Sequence, residues 1–231
     1  MNNCFIVLAG GESKRFKSKT PKPYHIYKGK PLFIHSIEKA LKSKKFNKIV
    51  LVVNKKHKKF LNKIKLKYVK IIVGGKNRSE SSLNALNSIK KSNISNVFIH
   101  DAARPNFSIK LLKNLLKNLK QNKAVVPIVS LKDSIKYKIK NQIFNLNKNN
   151  SLLTQTPQAF RFKDLYNLAI NEKNKISDEA TLFINNNIKI KFIPGENKNN
   201  KITYLNDVET SKTYFGIGFD IHKLIKNKKL Y

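Results

Sequence analysis

The sequence is short of cysteine, of acidic residues and of long apolar runs, and each shortage excludes a class of protein. Its single cysteine, Cys4, has no second cysteine in the chain with which to form a disulfide. No apolar run approaches the roughly 20 residues that a membrane-spanning helix needs. Residues 4–9 are too short, and lack the basic flank, for a secretory signal. We therefore expect a cytoplasmic protein that is not inserted in a membrane.

Acidic residues are scarce because 13 Asp and Glu face 48 Lys and Arg, which gives a net charge of +35. Such a charge is typical of proteins that neutralise nucleic-acid phosphates. However, 44 of the basic residues are Lys and 4 are Arg, the chain holds 30 Asn, and the Lys are spread along its whole length. Lys and Asn share A-rich codons, so an A/T-biased genome suffices to explain the charge. We predict no specific nucleic-acid partner; a basic nucleic-acid-binding protein, with steeply salt-dependent binding, is the alternative.

Short apolar segments alternate with segments of helical periodicity. With 231 residues, of which 40% are apolar, the chain can bury a sizeable core. The expected strands are residues 4–9, 49–53, 69–73, 97–100, 124–129 and 188–193. The expected helices are residues 32–42, 55–65, 79–89, 109–119 and 163–170, with two more opening at Asp178-Glu179 and near Asn206. This alternation predicts an α/β fold with a mostly parallel sheet covered on both faces, which binds ligands at the carboxyl ends of its strands.

One segment interrupts this rhythm. Residues 135–139 and 143–146 alternate apolar and polar side chains around Asn141-Gln142, which predicts a β-hairpin. A hairpin that protrudes from an α/β core is a candidate dimerisation arm, and we place the arm at about residues 133–150.

The loop after the first strand has the composition of a phosphate site. Gly10 and Gly11 allow close approach of the backbone to a ligand, and Arg15 and Lys22 add positive charge. The loop lacks the Gly-Lys-Ser/Thr ending of a P-loop and the spacing of a dinucleotide fingerprint. Considered alone, it could also be a surface turn in a Lys-rich chain.

Two more clusters follow expected strands. Residues 74–81 open a helix with Gly-Gly and Arg78, which favours an anion, although ordinary helix capping would use the same residue types. Asp101 and Arg104 could hold Mg²⁺ or a sugar hydroxyl and a phosphate, respectively, or could pair with each other. His100 is expected to be packed at a strand end. Because these clusters imply no nucleophile with its base, they favour direct phosphoryl or nucleotidyl transfer.

In this order the motifs resemble one family, the 2-C-methyl-D-erythritol 4-phosphate cytidylyltransferases, over roughly residues 3–213. The matching motifs are Leu-Ala-Gly-Gly at 8–11, Lys-Arg at 14–15, Pro-Lys at 21–22, Gly-Gly at 74–75 with Arg78 and Ser81, His-Asp-Ala-Ala-Arg-Pro at 100–105, Asp-Ser at 133–134, Thr-Pro-Gln at 156–158, Asp-Glu-Ala at 178–180 and Lys-Ile-Thr at 201–203. The resemblance implies a three-layer Rossmann-like nucleotidyltransferase fold, a homodimer, and transfer of CMP from CTP to 2-C-methyl-D-erythritol 4-phosphate with Mg²⁺ in the non-mevalonate isoprenoid pathway. Another alditol phosphate, such as ribitol 5-phosphate, is the alternative acceptor.

The resemblance also implies roles for individual residues. The catalytic residues would be Arg15, Lys22, Lys148 and Lys201; the nucleotide would be bound by Ala9, Gly10, Gly11, Gly75, Arg78, Ser81 and Ala102; and the acceptor would be bound by Asp101, Arg104, Ser134 and Thr156. Two positions depart from the family pattern. Lys148 stands where the arm of the partner subunit usually carries an Arg, and Ser134 stands where Thr is usual. Lysine keeps the charge but loses the bidentate fork, so we expect weaker positioning of the acceptor.

The end of the chain resembles a second family. Residues 214–223 are similar to the opening of methylerythritol cyclodiphosphate synthases, in which the Asp and His that match Asp220 and His222 bind a divalent metal. The chain stops at Tyr231 without a further ligand, and a catalytic zinc site needs three protein ligands. We expect a catalytic domain at residues 1–213, a truncated stub at 214–231, and no cyclase activity.

Overall fold

The computed structural model describes residues 2–62, 64 and 66–209. The expected stub at 214–231, with Asp220 and His222, lies outside the described residues. In chain order the strands are β1 (Asn3–Ala9), β2 (Ile26–Tyr27), β3 (Lys30–Pro31), β4 (Lys48–Val53), β5 (Val69–Val73), β6 (Asn96–Asp101), β7 (Ala124–Ser130), β8 (Ile135–Ile139), β9 (Gln142–Leu146), β10 (Leu152–Thr154), β11 (Gln158–Arg161) and β12 (Lys191–Pro194). The α-helices are α1 (Leu32–Ser43), α2 (Arg78–Asn87), α3 (Ile109–Leu119), α4 (Phe162–Asn171), α5 (Ala180–Asn185) and α6 (Asn206–Glu209).

Within the described part of the chain, eight strands form a central sheet of order β10-β7-β11-β6-β1-β4-β5, with β12 beside β7. β1 runs parallel to β4 and β6, β4 to β5, and β12 to β7. The expected mostly parallel sheet is therefore confirmed. Antiparallel pairing reaches its interior, since β11 runs antiparallel to both β6 and β7. The sequence did not predict β11, because a strand of four residues that directly follows Pro157 gives almost no alternation to detect.

Helices cover both faces of this sheet, as expected for a three-layer fold. Alternate residues of β1 point to opposite faces, so that Phe5 and Val7 belong to one apolar cluster while Cys4 and Ile6 belong to another. α1 and α3 pack on the first face, and α2, α4 and α5 pack on the second. Burial raises the pKa of the Cys4 thiol to about 12, so this cysteine acts as a small core residue.

Residues 55–65 were expected to form an α-helix, but Lys55–Leu61 is a 3₁₀ helix with no buried side chain. Its sequence places four lysines among seven residues, and like charges on successive turns disfavour a longer helix. The last strand of the sheet is also shorter than the expected 188–193, since Ile188 and Ile190 pack against the core before β12 begins.

The predicted hairpin is confirmed: β8 and β9 pair only with each other, as a separate two-stranded sheet. Its turn lies at residues 140–141, one position before the expected Asn141-Gln142. Among the residues that the structure describes, no helix is both long and apolar enough to span a membrane.

Candidate active site

A cleft of about 520 Å³ lies at the carboxyl ends of β1, β4, β5 and β6. The parallel register places Leu8 beside Asp101 and Ala9 beside Val53, so that the loops after these strands meet at one edge of the sheet. The site residues expected from the sequence that line this cleft are Ala9, Gly10, Gly11, Arg15, Lys22, Gly75, Arg78, Ser81, Asp101, Ala102 and Lys201. Arg104, Ser134, Lys148 and Thr156 are not among its described lining residues.

The glycine-rich loop after β1 is attached to the protein through Asn54 and Phe16, and it exposes Arg15 to the cleft. The Asn54 side-chain amide donates a hydrogen bond to the Gly10 carbonyl (3.2 Å), which joins the loop to the end of β4. Phe16, in the short 3₁₀ turn Lys14–Phe16, is fully buried in a small apolar cluster. Arg15 in the same turn is exposed and lines the cleft. The anchored loop therefore presents its guanidinium to whatever occupies the cleft.

The amino-terminal end of α2 forms the neighbouring wall. Asn77 caps the helix by accepting from the Glu80 N–H (2.9 Å), and Glu80 in return accepts from the Lys76 N–H (2.8 Å). Ser81 Oγ accepts from the Gly75 N–H (3.1 Å). A Cβ at Gly75 would lie 2.2 Å from the Cβ of Glu80, so no larger residue fits there. The alternative of helix capping by Ser79 and Glu80 is right for Glu80 and wrong for Ser79, whose hydroxyl accepts instead from the Ile176 N–H (3.0 Å). The capping holds the backbone that faces the cleft.

Four charged side chains form one continuous network along this wall. Arg78 donates two bonds to the Glu179 carboxylate (2.9 Å each) and a third, from Nε, to Asp101 Oδ1 (3.2 Å). Lys201 Nζ donates to Asp101 Oδ2 (2.7 Å). Asp101 thus pairs with Arg78 and Lys201, and not with Arg104 as the sequence had left open. Both oxygens of Asp101 are held by cations.

Burial and pairing act in opposite directions on the network. Burial alone would raise the pKa of Asp101, but the charges of Arg78 and Lys201 outweigh it and hold that pKa well below its usual range. Burial alone would likewise lower the pKa of Arg78, yet Glu179 and Asp101 raise it overall. Both groups are therefore charged at neutral pH.

Lys22 approaches the network from the opposite side. Its ammonium donates to the Ile202 carbonyl (3.0 Å), which ties it to the segment that carries Lys201. Burial lowers the pKa of Lys22, and the nearby positive charges of Lys201 and Arg15 lower it further. Three cations thus converge in the cleft, and an anion bound among them would relieve their mutual repulsion.

Arg104 and Thr156 lie behind the cleft wall. Arg104 donates to the Asn199 carbonyl (2.8 Å), in the loop that leads to Lys201, and its burial lowers its pKa. The Thr156 side chain is buried, and its Oγ1 accepts from the Asp101 N–H (3.1 Å). Both residues contact the segments that carry cleft residues.

Ser134 and Lys148 lie on the hairpin arm. Ser134 is exposed, and its hydroxyl accepts from Lys136 Nζ (3.1 Å). Lys148 is exposed and begins the 3₁₀ turn Lys148–Asn150. Neither lines the cleft of its own chain.

Glu179 and Asn54 have a role in the site that the sequence does not predict. Asp178-Glu179 is expected to open a helix and belongs to a motif of the resembled family, without a role for Glu179; the structure shows Glu179 1% exposed and bonded to Arg78. The low number of acidic residues could have drawn attention to Glu179, because a chain with 13 Asp and Glu has few carboxylates available to pair with a buried arginine. Asn54 could not be distinguished among 30 Asn.

Comparison with known proteins places this geometry in a known family. A family model of 2-C-methyl-D-erythritol 4-phosphate cytidylyltransferase (IspD) matches residues 3–216. The bifunctional enzyme IspD/IspF of Pelagibacter ubique is 57% identical over 232 residues, which cover 100% of this chain and 62% of that enzyme. The 2-C-methyl-D-erythritol 4-phosphate cytidylyltransferase of Fusobacterium nucleatum is 35% identical over 222 residues, which cover 90% of this chain and 94% of that enzyme.

Among solved structures, the bifunctional IspDF of Campylobacter jejuni superposes with a TM-score of 0.79 at 27% identity, covering 90% of this chain and 54% of that one. The chain therefore spans less than two thirds of the length of the bifunctional relatives that it matches.

Proposed function

The chain belongs to the 2-C-methyl-D-erythritol 4-phosphate cytidylyltransferase family, and from that premise we propose that it transfers CMP from CTP to 2-C-methyl-D-erythritol 4-phosphate. The products are 4-diphosphocytidyl-2-C-methyl-D-erythritol and pyrophosphate, in isoprenoid precursor synthesis. The observation that carries the proposal is the convergence of Arg15, Lys22 and Lys201 on one cleft at the carboxyl ends of the parallel strands. A triphosphate and a sugar phosphate meeting there would bring together two anions that repel each other in water.

The reaction is a single displacement at phosphorus. A phosphate oxygen of the acceptor forms a new bond to the α-phosphorus of CTP, the bond from that phosphorus to the bridging oxygen breaks, and pyrophosphate leaves with the electron pair. Negative charge accumulates on the α-phosphate oxygens on the way. Arg15 and Lys22 would stabilise that charge, and Lys201 would aim the acceptor phosphate at the α-phosphorus.

The nucleotide side of the cleft is mostly backbone. The N–H groups around Gly10 and Gly11, together with Ala9, would wrap the triphosphate. Gly75, Ser81 and Ala102 would face the cytidine, with Arg78 beside them. The Ser81 hydroxyl accepts from the Gly75 N–H and donates to the Asn77 carbonyl, so backbone groups other than the Gly75 N–H would recognise the base.

The acceptor side would centre on Asp101. Its carboxylate would bind hydroxyls of the sugar while Lys201 exchanges it for the acceptor phosphate. Arg104 and Thr156 would support this wall from behind, through the bonds to Asn199 and to the Asp101 N–H. Ser134 and Lys148 would reach the acceptor from the arm of a second copy.

We also propose Mg²⁺ as the cofactor. Of the described residues that line the cleft, two carry carboxylates, Glu12 and Asp101, and both oxygens of Asp101 accept bonds from cations. This donor set fits an ion that is held mainly by the phosphates of the nucleotide, with Glu12 as an additional carboxylate ligand. When bound, Mg²⁺ would neutralise charge on the leaving pyrophosphate. Chelation by EDTA should stop product release, and added Mg²⁺ should restore it.

The arm supports a homodimer as the working form. Ile139 and Ile143 are 56% and 70% exposed, and Tyr137 stacks on Phe144 with ring centroids 5.3 Å apart. A two-stranded hairpin with apolar side chains in water is marginal alone and gains stability when a second surface covers it. Sedimentation at micromolar concentration should show a dimer, and Ile143→Glu should shift it toward monomer with loss of activity. A fully active monomer would contradict the shared site.

For the domain boundaries and the compartment we retain the expectations from the sequence. The catalytic domain would comprise residues 1–213, with the arm at 133–150. The compartment would be the cytoplasm, since the one cysteine is a buried free thiol, in keeping with a reducing compartment.

The deciding experiment is pyrophosphate release from CTP and Mg²⁺ with each acceptor in turn, 2-C-methyl-D-erythritol 4-phosphate and ribitol 5-phosphate. We expect the first to be used with the higher kcat/KM, and Lys201→Ala to lower that value by roughly 100-fold. Lys198→Ala, an exposed lysine in the same loop, is the matched control and should change little. A higher kcat/KM for ribitol 5-phosphate would reassign the acceptor. No pyrophosphate release with either acceptor would contradict the proposal.

A further inference from the structure

Four residues from three separate parts of the chain, Ser36, His100-Asp101 and Thr156, are joined by a line of hydrogen bonds beneath the cleft wall that carries Asp101. His100 is fully buried at the end of β6, next to Asp101. Its Nε2 lies 3.0 Å from Ser36 Oγ in α1, and its Nδ1 lies 3.1 Å from Thr156 Oγ1. The same Thr156 oxygen accepts from the Asp101 N–H. The line therefore connects a core helix to the backbone of the residue that leads the acceptor site.

The chemistry of these groups gives the line a direction. Because Thr156 Oγ1 accepts from the Asp101 N–H, its own hydrogen is available to His100 Nδ1. We assign that hydrogen to the bond with Nδ1, which places the single ring proton of His100 on Nε2, where it would be donated to Ser36 Oγ. Burial lowers the pKa of His100 to about 3, so the ring is neutral, and the backbone of Arg104 also interacts with it. A neutral ring with one donor and one acceptor matches two hydroxyl partners.

We propose that His100 is a positioning residue for the transfer reaction: it orients the Thr156 hydroxyl, which holds the Asp101 backbone in place for the acceptor. The inference rests on the function proposed above. His100 itself does not line the cleft, since it is enclosed between Phe5 and Phe107, with ring centroids 5.6 and 4.5 Å from its own. It acts through Thr156 and not as an acid or base.

Two substitutions separate the two ends of the ring. The side-chain amide of Asn ends at the position of Nδ1, two bonds from Cβ, whereas that of Gln reaches the position of Nε2. His100→Asn should keep a partner for Thr156 and lose Ser36; His100→Gln should do the reverse. Both lose the ring packing against Phe107, so both should be destabilised to a similar extent.

The expected result is a difference between the two variants on the acceptor side alone. His100→Gln should lower kcat/KM for the acceptor about tenfold, and His100→Asn less than about threefold, with the KM for CTP within about twofold in both. In an Asp101→Asn background the loss caused by His100→Gln should shrink to about twofold, because the effect passes through Asp101. Equal losses in both variants that follow their thermal stability, or full additivity with Asp101→Asn, would overturn the inference.

A second measurement does not depend on activity or on folding of the His100 variants. Two-bond ¹H–¹⁵N spectra of the five histidines should show His100 with its proton on Nε2, and Thr156→Val should move its Nδ1 resonance. A proton on Nδ1, or no response to Thr156→Val, would overturn the inference. If the wild type releases no pyrophosphate, the proposed function fails, and the spectra still decide the order of the hydrogen bonds.

Discussion

The two sides of the cleft are built in opposite ways. On one wall, at the start of α2 and the end of β6, hydrogen bonds of 2.7 to 3.2 Å join Glu179, Arg78, Asp101 and Lys201. Arg15 on the glycine-rich loop is exposed and donates no hydrogen bond to the part of the chain that the structure describes. Lys148 on the arm is likewise exposed. The charges of the network are therefore held by one another before any ligand arrives, whereas those of Arg15 and Lys148 are exposed to solvent.

This difference determines how much side-chain ordering each part of the cleft requires when a ligand binds. Arg78 and Asp101 are held by each other in advance and would lose little side-chain freedom when the proposed acceptor binds, whereas Lys201 would exchange Asp101 for the acceptor phosphate. The loop and the arm must be ordered at the time of binding, at a cost of about 0.5–1.5 kcal/mol for each long side chain. The transition state carries more negative charge than either substrate, so it would interact with these cations more strongly than the substrates do. That difference would offset the ordering cost and raise the rate of the chemical step.

The largest effect on activity should come from Arg15→Ala, on the exposed glycine-rich loop. The guanidinium is exposed and has no hydrogen-bond partner among the described residues, so its removal should leave stability within about 0.5 kcal/mol and lower kcat by roughly 100- to 1000-fold. The KM for CTP should rise less than about tenfold. Steady-state kinetics with thermal unfolding check both parts, and Lys19→Ala is the control from the same loop. An equal loss in kcat and in CTP binding would reject the role given to Arg15.

Glu179→Gln should break the fixed side, with the main effect on stability. The neutral amide removes one of the two carboxylates that pair with Arg78 and leaves Asp101 as the other, so we expect a loss of roughly 2 kcal/mol in the free energy of unfolding. The matched control is Glu38→Gln, which removes the surface pair with Lys30, whose side chains are 45% and 50% exposed. That pair should contribute less than about 0.5 kcal/mol. Similar losses in both variants would mean that the network does not hold the wall.

The same division governs how much the sequence could predict. The parallel strands and their order of connection follow from local apolar runs, and the loops at 8–16, 74–81 and 100–105 follow from glycines and charges beside those runs. Glu179 was missed because its partner, Arg78, is 101 residues away, and no local pattern records such a pairing. The pairing of Asp101 with Lys201 was missed for the same reason, at a separation of 100 residues.

The interior antiparallel strand shows a further limit. β11 is four residues long and takes its place only because β6 and β7 leave a gap that it fills. A strand defined by its neighbours leaves little periodicity in its own sequence. Lys201 had no local signal either, and only the resemblance to a family singled it out among 44 lysines.

Lys22 stands between the two sides, and Lys22→Arg tests its lowered pKa. Burial and the charges of Lys201 and Arg15 favour the neutral form, so Lys22 loses its proton at a lower pH than an ordinary lysine. CTP binding should therefore weaken as the pH rises toward that range, by roughly threefold, and the arginine variant should lack this alkaline limb. Lys19→Arg is the control. Identical pH profiles of KM for CTP in wild type and Lys22→Arg would contradict the assignment.

The smallest effect should come from the arm, where Lys148→Arg introduces the residue that the resemblance to the family implies at this position. A guanidinium can hold a phosphate with two parallel bonds where an ammonium offers a point charge, so the KM for the acceptor should fall by about two- to fivefold, with kcat for CTP turnover unchanged within error. Lys140→Arg, at the hairpin turn, is the control because it adds the same group elsewhere on the arm. An improvement by Lys140→Arg as large as by Lys148→Arg would point to general electrostatic attraction. An improvement confined to Lys148→Arg, and lost when Ile143→Glu separates the subunits, would place this open part of the site on the partner's arm.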